Sequence, residues 1–141
     1  MTKKYKILAK YIKDMSSETP DIETYIFVRD YIGKYQLNID INSKPLKDKM
    51  VEINTILKFE DKQKNKKKSY FEINYSTIVR VEENITEKKD LEKIILYEVP
   101  TEIYPELRNI FVFIFENSGF KEVKISENVD FEKLYFLRKS Q

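Results

Sequence analysis

A chain of 141 residues has room for one hydrophobic core and not for two. Its 26 Lys and Arg against 24 Asp and Glu leave a formal charge of +2, so bulk charge does not mark a polyanion binder. Histidine and cysteine are absent and glycine occurs twice, as Gly33 and Gly119. That excludes disulfides, zinc fingers, thiol or imidazole catalysis and glycine-rich phosphate loops. The chain is instead rich in aromatic residues, with 10 Tyr and 9 Phe.

The N-terminal run Met1-Thr2-Lys3-Lys4-Tyr5-Lys6 is basic, but only Ile7-Leu8-Ala9 follows before Lys10, too little for a secretory signal. The apolar run from Ile110 to Phe115 is far short of the ~20 residues that span a bilayer. No lipidation motif ends the sequence. The expectation is one domain over residues 1–141, cytoplasmic and not inserted in a membrane.

Four segments alternate with period two. In the first, Tyr5, Ile7, Ala9 and Tyr11 share a face, and Ile12 and Met15 break the phase, which predicts a bulge or an edge. In the second, Tyr35, Leu37, Ile39 and Ile41 alternate with polar residues. The third sets Val51, Ile53, Thr55, Leu57 and Phe59 on one face. The fourth does the same with Phe71, Ile73, Tyr75, Thr77, Val79 and Val81. One apolar and one polar face suit an antiparallel sheet with one wet side. Segments 43–49 and 61–68 are short enough for hairpins. The link from Ser17 to Lys34 is longer and reads as a loop, yet it is apolar enough to rest on the core.

After Glu83 the period becomes helical. A helix starts near Thr86-Glu87 and carries Leu91, Ile94, Ile95 and Tyr97. Pro100 and Pro105 are expected to interrupt or restart it, since each lacks a backbone donor. A second stretch runs from Pro105 to Ser118 with Gly119 as C-cap, and Asp130 caps a short last helix bearing Phe131, Leu134 and Tyr135. The order is that of an α+β domain: a four-stranded antiparallel sheet with a long interrupted helix and a short C-terminal helix on one side. Ile110 to Phe115 leave no polar face, so a second copy of the chain is expected to cover what the sheet does not.

Carboxylates are numerous, but nothing in the pattern converges two of them in a pocket. Lys62, Lys64, Lys66, Lys67 and Lys68 form a basic tip. Beside Phe71 and Tyr75 that tip could serve RNA, although the glycine-and-aromatic submotifs of RNA-binding sheets are missing. A charged hairpin tip is more often a solvated turn that blocks edge aggregation.

Three motifs in register carry a family resemblance. Tyr11-Ile12-Lys13-Asp14-Met15-Ser16-Ser17-Glu18-Thr19-Pro20 resembles the first-strand motif of the SecB protein-export chaperones. Ile103-Tyr104-Pro105-Glu106-Leu107-Arg108 with Gly119-Phe120 resembles that family's long helix and closing glycine. Val129 to Tyr135 resembles the start of its last helix. The resemblance covers residues 5 to 137. It implies a SecB-like fold, a homotetramer built as a dimer of dimers through the long helix, no cofactor and no catalysis. It also implies a holdase that binds unfolded precursor proteins and hands them to the SecA translocation ATPase. Asp14, Glu18 and Glu72 match acidic positions that contact SecA, and Tyr70 an apolar position in the same contact. Tyr31, Tyr35, Leu37 and Ile39 match client-groove positions, which the last-helix face of Phe131, Leu134 and Tyr135 should close. The chain departs from the family in its charge of +2, in Ser76-Thr77 where a small flexible pair is common, and in Tyr31 where the crossover carries tryptophan. Some relatives serve toxin–antitoxin systems rather than export.

Overall fold

A computed structural model describes residues 4–63 and 65–139; the first three residues of the basic N-terminal run, and Lys64 of the lysine tip, lie outside the described residues. The elements are β1 (Tyr5–Glu18), α1 (Ile22–Tyr31), β2 (Gln36–Pro45), β3 (Met50–Glu60), β4 (Tyr70–Val81), α2 (Lys88–Lys93), α3 (Val99–Asn117) and α4 (Phe131–Lys139). The strands form one antiparallel sheet in the order β1-β4-β3-β2. The two hairpins place β2 beside β3 and β3 beside β4, and the crossover returns β1 to the far edge.

The alternation in β3 and β4 is met residue by residue. Val51, Ile53, Leu57 and Phe59 are buried on one face, with Phe71, Ile73, Tyr75, Val79 and Val81 beside them. The long helix lies over this inner face. Phe115 reaches Phe71 at 4.6 Å and Phe59 at 5.1 Å between ring centroids, and Phe111 lies 4.9 Å away. Aromatic burial of this kind dominates the energetics of a small core.

Three expectations are corrected. In β1 the register slips between Ile7 and Ala9 and again between Ile12 and Asp14. The first slip moves Ala9 and Tyr11 to the outer face, away from Tyr5 and Ile7, because one extra residue inverts every later side chain. Ile12 and Met15 then fall on the inner side of an edge strand and stay exposed. The second correction concerns residues 17–34, which are not a bare loop. Asp21 accepts from the Thr24 amide at 2.8 Å and starts α1. That helix buries Thr24 and Val28, and a 3₁₀ turn (Ile32–Lys34) follows.

The third correction is that the prolines do not divide the long helix. Helical structure runs unbroken from 88 to 117, with a π-helical stretch at Ile94–Glu98 just before Pro100. The wider π turn relieves the clash that a proline ring would make with the carbonyl one turn back. Pro105 sits inside α3 between the buried Tyr104 and Leu107. Burial of that face outweighs one lost hydrogen bond. The stops were legible: Gly119 has φ +88°, and the Lys133 amide donates to Asp130 at 2.9 Å. Of the apolar run, Phe111, Ile114 and Phe115 are buried, while Phe113 is 64% exposed.

Candidate functional site

Two surfaces gather the residues singled out by the sequence. The first is on the outer face, which carries no helix among the described residues. Glu18 pairs with Tyr70 in the β1–β4 register, Ser16 with Glu72 and Asp14 with Asn74, so all three acids and the tyrosine share one face. Tyr70 is 59% exposed there. Glu18, Tyr70 and Glu72 line a hollow of about 340 Å³ with Lys58, Glu60 and Lys68. Glu72 meets Lys58 across the sheet at 3.3 Å. Asp14 stands further along the face and does not line the hollow.

A residue not singled out organises the middle of this face. Glu52 takes Lys13 Nζ at 3.3 Å, Asn54 Nδ2 at 3.3 Å and the Tyr11 hydroxyl at 3.4 Å. Burial pushes its carboxyl up, but these donors together outweigh burial and hold it below the usual carboxylate range. The bulge that turns Tyr11 outward makes this contact, so period-two reading could not find it.

The second surface lies on the inner side along β2, a sheet edge. Ile39, Ile41, Leu96, Leu134, Tyr135, Leu137 and Arg138 enclose a hollow of about 180 Å³. Ile39 is half-buried and Leu134 is 39% exposed, so this apolar lining faces solvent; Leu37, also half-buried, stands beside it on β2 and does not line the hollow. Arg138 meets Asp40 at 3.6 Å and ties α4 to β2. Tyr104 packs on Phe131 with centroids 5.7 Å apart, which fixes α4 against the long helix.

The seven groove residues therefore divide. Leu37, Ile39 and Leu134 present apolar surface. Tyr31 is half-buried at the end of α1, stacked on Phe27 at 5.4 Å. Tyr35, Phe131 and Tyr135 belong to the core, and of these Tyr135 also lines the hollow. Burial pushes the Tyr35 hydroxyl above its ordinary value against the donating Ser69 amide at 3.0 Å. Sequence spacing missed Ile41, Leu96, Leu137 and Arg138 as lining. Leu96 lies in the π-helical stretch, whose changed pitch re-aims side chains.

No helix among the described residues is long and apolar enough to cross a membrane.

Known proteins similar to this chain place its family and its fold. The chain is 54% identical over 135 residues to a protein of Pelagibacter ubique named as a protein-export protein SecB, with 96% of each chain covered. It is 28% identical over 136 residues to the protein-export protein SecB of Parvibaculum lavamentivorans (96% of this chain, 79% of that one). The figure for that of Rhodospirillum rubrum is 26% over 129 residues (92% and 78%). Among solved structures, a SecB-like chaperone of Mycobacterium tuberculosis, in complex with a peptide from an antitoxin, superposes with a TM-score of 0.60. That match has 9% identity and covers 87% of this chain and 90% of the other, a likeness of fold. The family described as preprotein translocase subunit SecB matches residues 1–141. The chain belongs to the SecB family of protein-export chaperones.

Proposed function

We propose that the chain is a cytoplasmic holdase that binds unfolded precursor proteins along β2 and α4 and delivers them to SecA through the outer-face patch of Asp14, Glu18, Tyr70 and Glu72. The observation that carries the client site is the 180 Å³ apolar hollow opening beside an edge strand. A folded protein hides its apolar side chains; an unfolded one offers them together with free backbone amides. A sheet edge can pair with those amides while the hollow takes a side chain.

Magnitudes favour an assembly over a lone chain. Burying one Leu- or Phe-sized side chain is worth roughly 1.5–3 kcal/mol. Ordering an unfolded segment costs on the order of 2–5 kcal/mol. One groove is marginal by itself, and several on one particle raise affinity by about 10²–10⁴. The exposed Phe113 on the long helix, with Ile12 and Met15 exposed on edge strand β1, is the surface proposed to pair chains into a homotetramer.

A chaperone dedicated to an antitoxin is the second reading, supported by fold likeness to a chaperone solved with an antitoxin peptide. Export is preferred because the relatives similar in sequence are named for protein export. Light scattering of the purified chain, alone and with a reduced, alkylated precursor, tests the proposal. A tetramer that binds this unfolded precursor and not its folded form supports it. A monomer indifferent to both refutes it.

A further inference from the structure

We infer that Glu52 is a positioning residue for the outer-face patch: by holding Lys13 it fixes the extra residue of β1 ahead of Asp14, and so keeps Asp14 on the face of Tyr70 and Glu72. This deepens, and rests on, the patch reading above. Ile12 pairs with Tyr75 and Asp14 with Asn74, which leaves Lys13 as the extra residue between them. Its effect is a change of phase. Tyr11 points outward opposite Ser76, so unbroken alternation would turn Asp14 and Ser16 inward and Met15 outward. With the slip at Lys13, Asp14 and Ser16 face outward, and Ser16 stands opposite Glu72.

Other contacts fix the ends of the strand but not the place of the slip. Beyond it, the Ser17 and Ser118 hydroxyls lie 2.7 Å apart, as do those of Thr19 and Ser69. The extra residue must therefore be taken up somewhere before Ser17. Apolar burial chooses weakly where, because Ile12 is 43% and Met15 50% exposed on the inner side of an edge strand. Glu52 makes the choice from β3, two strands away. Its Oε2 takes Lys13 Nζ at 3.3 Å and its Oε1 the Tyr11 hydroxyl at 3.4 Å, so it grips β1 at the extra residue and two residues earlier. Among the described residues, no other side chain from 11 to 16 makes a hydrogen bond or ion pair. The carboxylate is itself held from the sheet. Asn54, 5% exposed, donates to Glu52 Oε2 at 3.3 Å and to Asn42 Oδ1 at 3.0 Å, and the buried Ser76 hydroxyl donates to Glu52 Oε1 at 3.4 Å.

The test titrates purified SecA by calorimetry, and a fluorescent unfolded protein on the same samples. Glu52→Ala should weaken SecA binding about fivefold, the upper worth of one exposed charged contact, and leave client binding and assembly unchanged. Deleting Lys13 lets β1 pair without an extra residue while Asp14 stays opposite Asn74. In that deleted chain Glu52→Ala should change SecA affinity less than twofold. The same substitution should also lose its effect in an Asp14→Asn background, because both changes then act on one contact. Asp14 is exposed, so that background keeps the fold and decides the matter if the deleted chain does not fold. A loss that persists in either background would mean that Glu52 meets SecA itself, and overturns the inference. So does a Glu52→Ala chain within twofold of the parent while Glu72→Lys still weakens SecA binding. A parent chain that does not bind SecA overturns the patch and this inference with it.

Discussion

Leu134→Asp is the most direct probe of the groove. Leu134 lies on α4, is already 39% exposed and lines the 180 Å³ hollow with Ile39 and Ile41. That volume suits one apolar side chain, since a cavity of about 150 Å³ holds a benzene ring. Full burial of such a side chain is worth roughly 1.5–3 kcal/mol. A carboxylate at the mouth removes that gain and must be desolvated when a client enters. Affinity for an unfolded protein should fall roughly ten- to hundredfold per groove, at 1.4 kcal/mol per tenfold. Folding should barely change, because a substitution at an exposed site is usually within about 0.5 kcal/mol. The assay is titration of a fluorescent, reduced and alkylated protein, with thermal melting and light scattering on the same samples. An affinity within twofold of the parent, with fold and assembly unchanged, would show that clients do not use this hollow.

Three other outcomes follow from the structure. Glu72→Lys sets a cation opposite Lys58 on the outer face, and should weaken SecA binding severalfold while leaving client binding intact. Equal SecA affinity by calorimetric titration counts against the patch. Phe115→Ala empties the ring cluster with Phe59, Phe71 and Phe111 and should cost about 3–5 kcal/mol in denaturant unfolding; a loss below about 1 kcal/mol would mean that the long helix does not pack there. Glu106 accepts from Lys10 at 2.6 Å and also from Tyr75, and these contacts hold its carboxyl below its ordinary value against the opposing effect of burial. A depressed carboxyl stabilises the fold above its unfolded pKa and loses that effect as pH falls through its folded pKa. Glu106→Gln should therefore flatten the acid limb of a stability–pH curve, and curves of identical slope would discount the contact.

The hydroxyl of Tyr75 belongs to the same network. It is pushed up to about 12, first by burial and then by the Glu106 charge and hydrogen bond. Together with Lys10, it ties the edge strand β1 and the central strand β4 to α3. The Tyr5 hydroxyl adds a second tie, to Glu102 at 2.9 Å. The β1 edge of the sheet is thus tied to the long helix at two points. Geometry there matters if chains assemble through both.

Much of this was legible in the residues alone. Strict alternation in β3 and β4 fixed which side chains face the helix, because a strand has only two faces and burial tolerates one register. Gly119 and Asp130 marked helix ends because few other residues satisfy the backbone there. The lack of histidine and cysteine left thiol and imidazole chemistry out from the outset. Other features depended on contacts between residues distant in sequence. The slip at Ile7/Ala9 is a property of the β1–β4 pair, and it alone decides that Tyr11 meets Glu52. The helix through Pro100 and Pro105 exists because tertiary burial outweighs a local penalty that sequence rules count in isolation. The hollow is built from β2, the π-helical stretch and α4, segments tens of residues apart in the chain. No local pattern could tell that Tyr35 and Phe131 would sink into the core while Leu134 remained at the surface.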